Sequence, residues 1–558
     1  MPLQSKWQIN IPDVHLASLL FTSPTHSLSS SKRLIVDTQR PDTHYFTPAS
    51  FRLLCQRFAA GLQKHGLKRG ERILLISGNT ILYPSIFMGT VMAGCVFSGA
   101  NPTYVPRELA YQLQDSGATI LICAEDCLDK GLQAAEIAGL PLDRVFVLDE
   151  LVFGGPVKGE RTCRSWQELL VQEEEGRMFA WDTLFSPGEA GRTLLALNYS
   201  SGTTGLPKGV EITHRNYVAN VLQGIHHANL QAGAGGEHSR PIVYLPMYHA
   251  MSQRRIIMSL VEQAEVYVMP AYNFQELLKS IQRFKITVLT MVPPVAISLS
   301  KDPVVKNYDL SSVRMAGSGA APLGKEICER IEGEIFDHQI MIQQAWGMTE
   351  TTCSFLAWDP EKSNPRSTVG EPLANCEAKI MSEDGTIELP RNQRGELWVR
   401  GPNVMKGYWK NHEATIATIT PDGWLRTGDI AYIDEEGRFF IVDRLKELIK
   451  VKGNQVAPAE IEGQLLEHPA VADAAVIGLK VNNGEYPRAY IVLKPAHTAT
   501  EEEITEFLKD RVAPVKQITG GVIFLDAIPK NPSGKTLRKL LRERAQNELK
   551  QEQAASKL

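Results

Sequence analysis

Twelve consecutive residues, Tyr199-Ser-Ser-Gly-Thr-Thr-Gly-Leu-Pro-Lys-Gly-Val210, concentrate the groups needed to hold a polyphosphate. Gly202 and Gly205 let backbone N–H groups approach an anion closely. Ser200, Ser201, Thr203 and Thr204 add hydroxyl donors, and Lys208 supplies a point charge. The embedded Pro-Lys-Gly argues against a merely flexible surface loop. Lys208 is followed by Gly209-Val210, not by the Ser or Thr of a Walker A loop, so this cradle is of another kind.

Further motifs follow in order: Ser318-Gly-Ala-Ala-Pro322, Gln344-Ala-Trp-Gly-Met-Thr-Glu350, Gly395-Glu-Leu397, Thr427-Gly-Asp429, Asp443-Arg-Leu-Lys-Glu-Leu-Ile-Lys450 and Asn531-Pro-Ser-Gly-Lys535. Together with the cradle, this series resembles the adenylate-forming (AMP-binding) superfamily of acyl-CoA synthetases, luciferases and nonribosomal-peptide adenylation domains. The resemblance covers roughly Tyr45 to Arg542. It is strongest for the 4-coumarate–CoA ligase-like branch, through Lys452-Gly-Asn-Gln-Val-Ala-Pro-Ala-Glu460.

The resemblance implies a reaction with a definite electrostatic problem. A carboxylate is a poor electrophile, so it first attacks the α-phosphate of ATP, giving an acyl-adenylate and pyrophosphate. The thiol of coenzyme A then displaces AMP. Bringing two anions together requires cations and oriented donors. By resemblance Lys535 bridges carboxylate and α-phosphate, Thr349 holds the α-phosphate, and Glu350 ligates Mg²⁺. Asp429 accepts from the ribose hydroxyls with Arg444 assisting. Trp346, followed by Gly347, stacks on adenine beside the backbone of Gly319, Ala320 and Ala321. Lys446 matches the hinge for a swinging C-terminal domain, and Gly453 the close-approach point for the pantetheine arm of coenzyme A. Lys450 is either a thioester-step residue or a solvated charge. Taken singly, each of these residues has an ordinary structural role; their joint occurrence at family-matching positions carries the assignment. Transfer to a carrier-protein thiol, or a non-catalytic nucleotide-binding role, are the alternatives to ligation with coenzyme A.

Val243-Tyr-Leu-Pro-Met-Tyr-His-Ala250 matches the family segment that ends beside the acyl site; the resemblance implies that His249 is a gate and that Tyr248, Met251, Arg255 and Ala345 line the acyl pocket. Here the chain departs from its branch. Met251 stands where an aromatic is frequent, and Arg255, after Arg254, where a small neutral residue is usual. Either Arg255 enters the acyl pocket and pairs with a polar or acidic group of the substrate, or a register shift turns both arginines to water. Ala345-Trp346 replaces the usual Gly-Tyr: the extra methyl narrows the pocket, and the indole keeps an aromatic face for adenine.

Positioning such residues requires layered architecture. Apolar runs at Ile73–Ile76, Ile120–Cys123, Val145–Leu148, Leu194–Asn198, Val243–Leu245, Val266–Met269 and Val288–Val292 read as strands. Helical patterns such as Phe51–His65 and Phe274–Phe284 lie between some of them. That rhythm predicts an α/β fold with doubly wound layers and largely parallel sheets. After about residue 365, short strands between Gly, Pro and Asn turns predict a small β-barrel-like unit. From Asp443 a compact α+β unit follows, with Ala459–Glu467 and Glu501–Val512 as helices. The expected division is an N-terminal AMP-binding domain, 1–442, made of α/β layers (1–364) and a β-rich subdomain (365–442). A mobile C-terminal domain spans 443–558. The acidic stretch Glu173–Glu175 reads as a solvated loop.

Composition limits the alternatives. The chain has 558 residues, 43% hydrophobic and 22% charged, an ordinary globular balance with room for several domains. Lys+Arg 59 against Asp+Glu 63 leaves a net charge of −4, so no basic excess points to nucleic acid. Eight cysteines without paired CxxC motifs read as reduced thiols. The apolar region Ile73–Ala100 is interrupted by Asn79, Pro84 and glycines, and reads as strand, loop and packed helix, not a membrane span. The chain ends in Ser556-Lys557-Leu558, a peroxisomal address, after a polar helix-like tail. The expected partners are a small carboxylic acid and a peroxisomal import receptor.

Overall fold

The computed structural model describes residues 2–21, 31–154, 163–182, 186–200, 206–231, 239–362, 365–451, 454–481, 484–509, 511–531 and 534–555. An eight-stranded sheet forms one layer. Its spatial order is Gly407–Tyr408, Lys208–Thr213, Leu194–Ser200, Val96–Ala100, Arg72–Ile76, Ala118–Ala124, Val145–Leu148, Arg164–Ser165. From Leu194–Ser200 to Arg164–Ser165 the neighbours run parallel, as alternating apolar runs and helices require. Lys208–Thr213 returns antiparallel to Leu194–Ser200 and sets Lys208 opposite Ser200. These two strands carry the ends of the cradle; Ser201, Gly202, Thr203, Thr204 and Gly205 lie outside the described residues.

The apolar region after Ile73 divides as its sequence suggests, into the strand Arg72–Ile76, a loop and the helix Tyr83–Met92. Every residue of that helix is buried between layers. Among the described residues no helix is long and apolar enough to cross a membrane.

A second layer combines two sheets. Ile242–Val243, Val266–Val268, Ile35–Asp37 and Tyr45–Phe46 form one, and the parallel strands Val288–Met291, Met315–Ser318 and Ile342–Gln344 the other. A parallel bridge between Pro241 and Val288 joins their edges. The strand expected at Val243–Leu245 pairs only through Val243. Asn79 Nδ2 donates to the Leu245 carbonyl at 3.1 Å, and Pro246 has no N–H for a ladder. The helix expected at Phe51–His65 starts earlier, at Pro48, because Thr47 caps it and Ser50 reciprocates.

The β-rich unit is a five-stranded antiparallel sheet ordered Leu3–Gln4, Glu377–Met381, Gly395–Arg400, Leu425–Ile433, Phe439–Arg444. Its first strand comes from the very start of the described chain. The last strand runs through Asp443 to Arg444 and ends in a turn at Leu445–Glu447. Beyond it, Val471–Val481 and Gly484–Leu493 pair antiparallel, and Val522–Phe524 adds in parallel. The helices Pro458–Leu466, Glu501–Lys509 and Arg538–Ala555 pack around them. Glu173–Glu175 is not a loop: it opens the exposed helix Glu173–Met178, where three carboxylates in the first turn complement the helix dipole.

Candidate active site

The strands Met315–Ser318 and Ile342–Gln344 end side by side, and the residues after them form the floor of the site, as expected at the carboxyl ends of parallel strands. Ala345 N donates to Ser318 O at 3.1 Å, locking the two exits together. Ala320 has φ 72°, a left-handed conformation that side chains rarely adopt, and it stands exposed at the rim. Gly347 is required where it stands: a Cβ there would lie 1.7 Å from the Cys353 carbonyl oxygen.

Trp346 is pinned by backbone bonds to Leu356 and Phe355, and its indole Nε1 donates to Asp429 Oδ2 at 2.8 Å. Asp429 and Arg444 are register partners on adjacent strands, with Arg444 Nε 3.1 Å from Asp429 Oδ1. That Oδ1 is buried and accepts no hydrogen bond among the described residues. Trp346, Asp429 and Arg444 thus form one wall of a cleft of about 300 Å³, also lined by Ala320, Ala321 and Lys535. Lys535 comes from the C-terminal unit. Burial, reinforced by Arg444, lowers its ammonium to about 8, against the pull of Asp429 and Glu447. Its loop rests on the N-terminal part: at Gly534, with φ 81°, a Cβ would lie 3.1 Å from Pro294 Cδ.

A second cavity, of about 260 Å³, adjoins the first and shares Ala320, Gln344, Ala345, Trp346 and Gly347 with it. Gly319, Thr349, His249, Met251 and Arg255 also line it. Met251 packs on Gly319, where a Cβ would come within 3.2 Å of its Cε. His249 precedes the helix Ala250–Glu262, its Nε2 buried and unpartnered among the described residues. Burial lowers the imidazole to about 4, so it is neutral near pH 7. Arg254 and Arg255 both line this cavity, which decides between the two registers left open by sequence: neither is turned out to bulk water. Tyr248 lies next to this lining. It is not part of the cavity wall; its Cβ packs toward Gly99, and its ring lies 4.3 Å from that of His249.

Glu350 is buried and accepts from Tyr408 Oη at 2.9 Å. The Lys208 ammonium lies 4.8 Å above the Tyr408 ring, so Tyr408 ties the cradle lysine to Glu350. Tyr408 had no signal in the sequence: it sits on a strand of two residues. Lys446 is exposed in the turn after Phe439–Arg444. Lys450 is exposed on the strand Ile449–Val451 and lines neither cavity. Gly453 lies outside the described residues.

Two joined cavities, one walled by an acceptor carboxylate and an indole and reached by a lysine from a separate unit, define an adenylate-forming class of enzyme. Family models agree: residues 29–409 match the AMP-binding enzyme family and 460–535 its C-terminal domain. The chain is 38% identical over 510 residues to 4-coumarate–CoA ligase 2 of Oryza sativa subsp. japonica, covering 89% of this chain and 87% of the relative. It is 37% identical over 558 residues to 4-coumarate–CoA ligase of Pinus taeda, covering 96% and 97%. Among solved structures, ATP-bound MatB from Rhodopseudomonas palustris superposes with a TM-score of 0.80 at 26% identity, covering 95% of this chain and 98% of that one. The anthranilate CoA ligase AuaEII with anthranoyl-AMP shares the fold, with a TM-score of 0.83 at 24% identity over 97% and 99%. The chain belongs to the AMP-binding enzyme family. Within it, the chain is an AMP-forming acid–thiol ligase, joining a carboxylic acid to coenzyme A at the expense of ATP.

Proposed function

We propose that the two joined cavities are the acyl and nucleotide halves of one adenylation site, with Lys535 as the cation between them. The position of Lys535 carries this reading: a half-buried ammonium from the C-terminal unit stands in the cleft with Asp429 and Arg444, on a floor shared with the acyl cavity. A carboxylate oxygen attacks the α-phosphorus of ATP, and the bond to pyrophosphate breaks. Lys535 offsets the repulsion between the two anions, and the Thr349 hydroxyl donates to the α-phosphate. Asp429, whose Oδ1 pairs with Arg444 but takes no hydrogen bond among the described residues, accepts from the ribose, and Trp346 offers its face to adenine above Gly319–Ala321. The cradle from Ser200 to Lys208 takes the outer phosphates. His249, neutral, closes the acyl cavity as its gate.

Glu350 suits Mg²⁺, a hard cation that takes one or two protein carboxylates and completes its shell with phosphate oxygens and water. A single buried carboxylate beside the cradle lysine is the donor set such an ion needs. When bound, the ion neutralises phosphate charge. In the second half-reaction the thiol sulfur bonds to the acyl carbon and AMP departs. Lys450, exposed and outside both cavities here, and Gly453 belong to that step, reached by rotation about Lys446.

Pyrophosphate exchange tests the assignment. Lys535→Ala is expected to lose acid-dependent exchange by about 10²-fold or more, while still converting supplied acyl-adenylate to acyl-CoA. Retained exchange would remove Lys535 from the first step. We further read Ser556-Lys557-Leu558 as the address for a peroxisomal import receptor. A fluorescent fusion ending in this tripeptide should be punctate with a peroxisomal marker, and diffuse when the tripeptide is deleted.

A further inference from the structure

The helix Ala250–Glu262 presents Met251, Arg254, Arg255 and Met258 to the acyl cavity, the i, i+3, i+4, i+7 stripe that ordinarily is apolar. Two adjacent cations on that stripe are costly unless something uses them. Arg254 is spoken for. Its Nε donates to the Asn220 carbonyl at 3.1 Å, and its guanidinium packs against Gly224, where a Cβ would approach to 1.9 Å. Arg255 is different: among the described residues its guanidinium makes no hydrogen bond or ion pair. It is half-buried, and it lines the cavity. Burial and then the Arg254 charge lower it to about 10, so it stays protonated near neutral pH.

The cavity that holds the pair also carries uncharged polar side chains. His227 and Gln343 line the same cavity as Arg254. Gln231 Nε2 donates to Gln343 Oε1 at 2.8 Å and lies 3.1 Å from His227 Nε2. Burial and the Arg254 charge hold His227 at about 4, leaving it neutral. The residues this cavity shares with the nucleotide cleft, Ala320, Gln344, Ala345, Trp346 and Gly347, include no charged side chain.

We infer that the acid this enzyme activates carries a second carboxylate, bound at the far end of the acyl cavity by Arg255, with Arg254 held in place beside it. This rests on the cavity being the acyl site. A carboxylate meets a guanidinium through two charge-assisted hydrogen bonds, and it removes the unpaired cation that a neutral tail would leave buried. The first carboxylate reacts at the floor; the second is never touched by the chemistry and acts only in binding.

The test uses linear dicarboxylic acids and their monomethyl esters of equal chain length, assayed by pyrophosphate release. Wild type is expected to prefer a diacid over its monoester by about 10- to 100-fold in kcat/KM, the range for a hydrogen-bonded charge left unpaired. Arg255→Leu should lose that factor on the diacid and gain on the monoester, so that the ratio approaches or passes unity. A preference for the monoester in wild type, no diacid accepted, or a ratio unchanged by Arg255→Leu overturns the inference. ATP affinity measured on Arg255→Leu separates misfolding from lost recognition, and Arg255→Gln gives a milder second variant. Met251→Trp, which fills the cavity, distinguishes the two levels of failure. If it leaves KM for every acid unchanged, the acyl-site reading itself falls. If it blocks all acids while the Arg255 ratio stays flat, only the dicarboxylate inference falls.

Discussion

The indole N–H of Trp346 donates to Asp429 at 2.8 Å, joining the ring expected to face adenine to the carboxylate expected to hold the ribose. The bond engages Oδ2 of Asp429, while Oδ1 lies buried 3.1 Å from Arg444 Nε. Trp346→Phe keeps an aromatic face but removes the donor. Loss of a hydrogen bond to a charged group costs about 1.5–3 kcal/mol, so KM for ATP should rise at least about tenfold. KM for the acid should change little. Equal rises in both constants would show that the bond supports the whole floor and not the nucleotide alone.

Lys535 makes the first half-reaction pH-dependent. Its pKa is lowered to about 8, chiefly by burial and then by Arg444, so the free enzyme loses the cation as pH rises through that value. kcat/KM for pyrophosphate exchange, which reports the free enzyme, should therefore fall on the alkaline side of about pH 8. Below it the lysine is charged and this limb is flat. Lys535→Arg, slower but permanently charged, should lose the alkaline limb.

Much of this site is legible in sequence because phosphate chemistry demands neighbouring residues: the cradle, Gln344–Glu350 and Thr427–Asp429 are each contiguous segments, although they belong to three different sheets. Relationships set by packing between distant segments are not legible in the same way. Leu3 pairs with Ala378, from opposite ends of the N-terminal part, through a strand too short to carry a pattern. The place of Arg254 depends on Gly224 of the neighbouring helix His214–Leu230, which no spacing within Ala250–Glu262 reveals. The place of Tyr248 depends likewise on a distant segment, with its Cβ packed toward Gly99 of another sheet.

Tyr408 is the residue that links the cradle to the proposed metal carboxylate, and it yields a prediction of its own. Its hydroxyl donates to Glu350 at 2.9 Å while its ring lies under Lys208. Tyr408→Phe keeps the ring and frees Glu350 from its donor, leaving a buried carboxylate unsatisfied at a cost of about 1–3 kcal/mol. The Mg²⁺ concentration for half-maximal pyrophosphate exchange should shift several-fold, with KM for the acid unchanged. No shift would separate Tyr408 from the metal site.

A carboxyl pair couples the two units of the chain. Glu326, on the helix Lys325–Glu334, is hydrogen-bonded to Glu467, which follows the helix Pro458–Leu466 of the C-terminal unit. Burial first, then the bond and charge of Glu467, with Glu329 adding and Lys325 opposing, push Glu326 up to about 7. Gln464 Nε2 donates to the other side of Glu467 at 3.0 Å, and Arg511 lies 4.0 Å away. Because the pKa is raised in this arrangement above its ordinary carboxylate value, docking takes up a proton. Its contribution is fully present below the ordinary range and is lost as pH rises through about 7. The docked fraction, read by energy transfer between one dye on each unit, should therefore fall from about pH 6 to about pH 8. Glu326→Gln keeps the hydrogen bond without the charge, so its docked fraction should be flat over that interval and equal to the low-pH value of wild type. A wild-type slope retained in Glu326→Gln would assign the pH dependence to another group. Release of the C-terminal unit is what the thioester step requires. Adenylation and thioester formation should accordingly diverge with pH in wild type, and this divergence should shrink in Glu326→Gln.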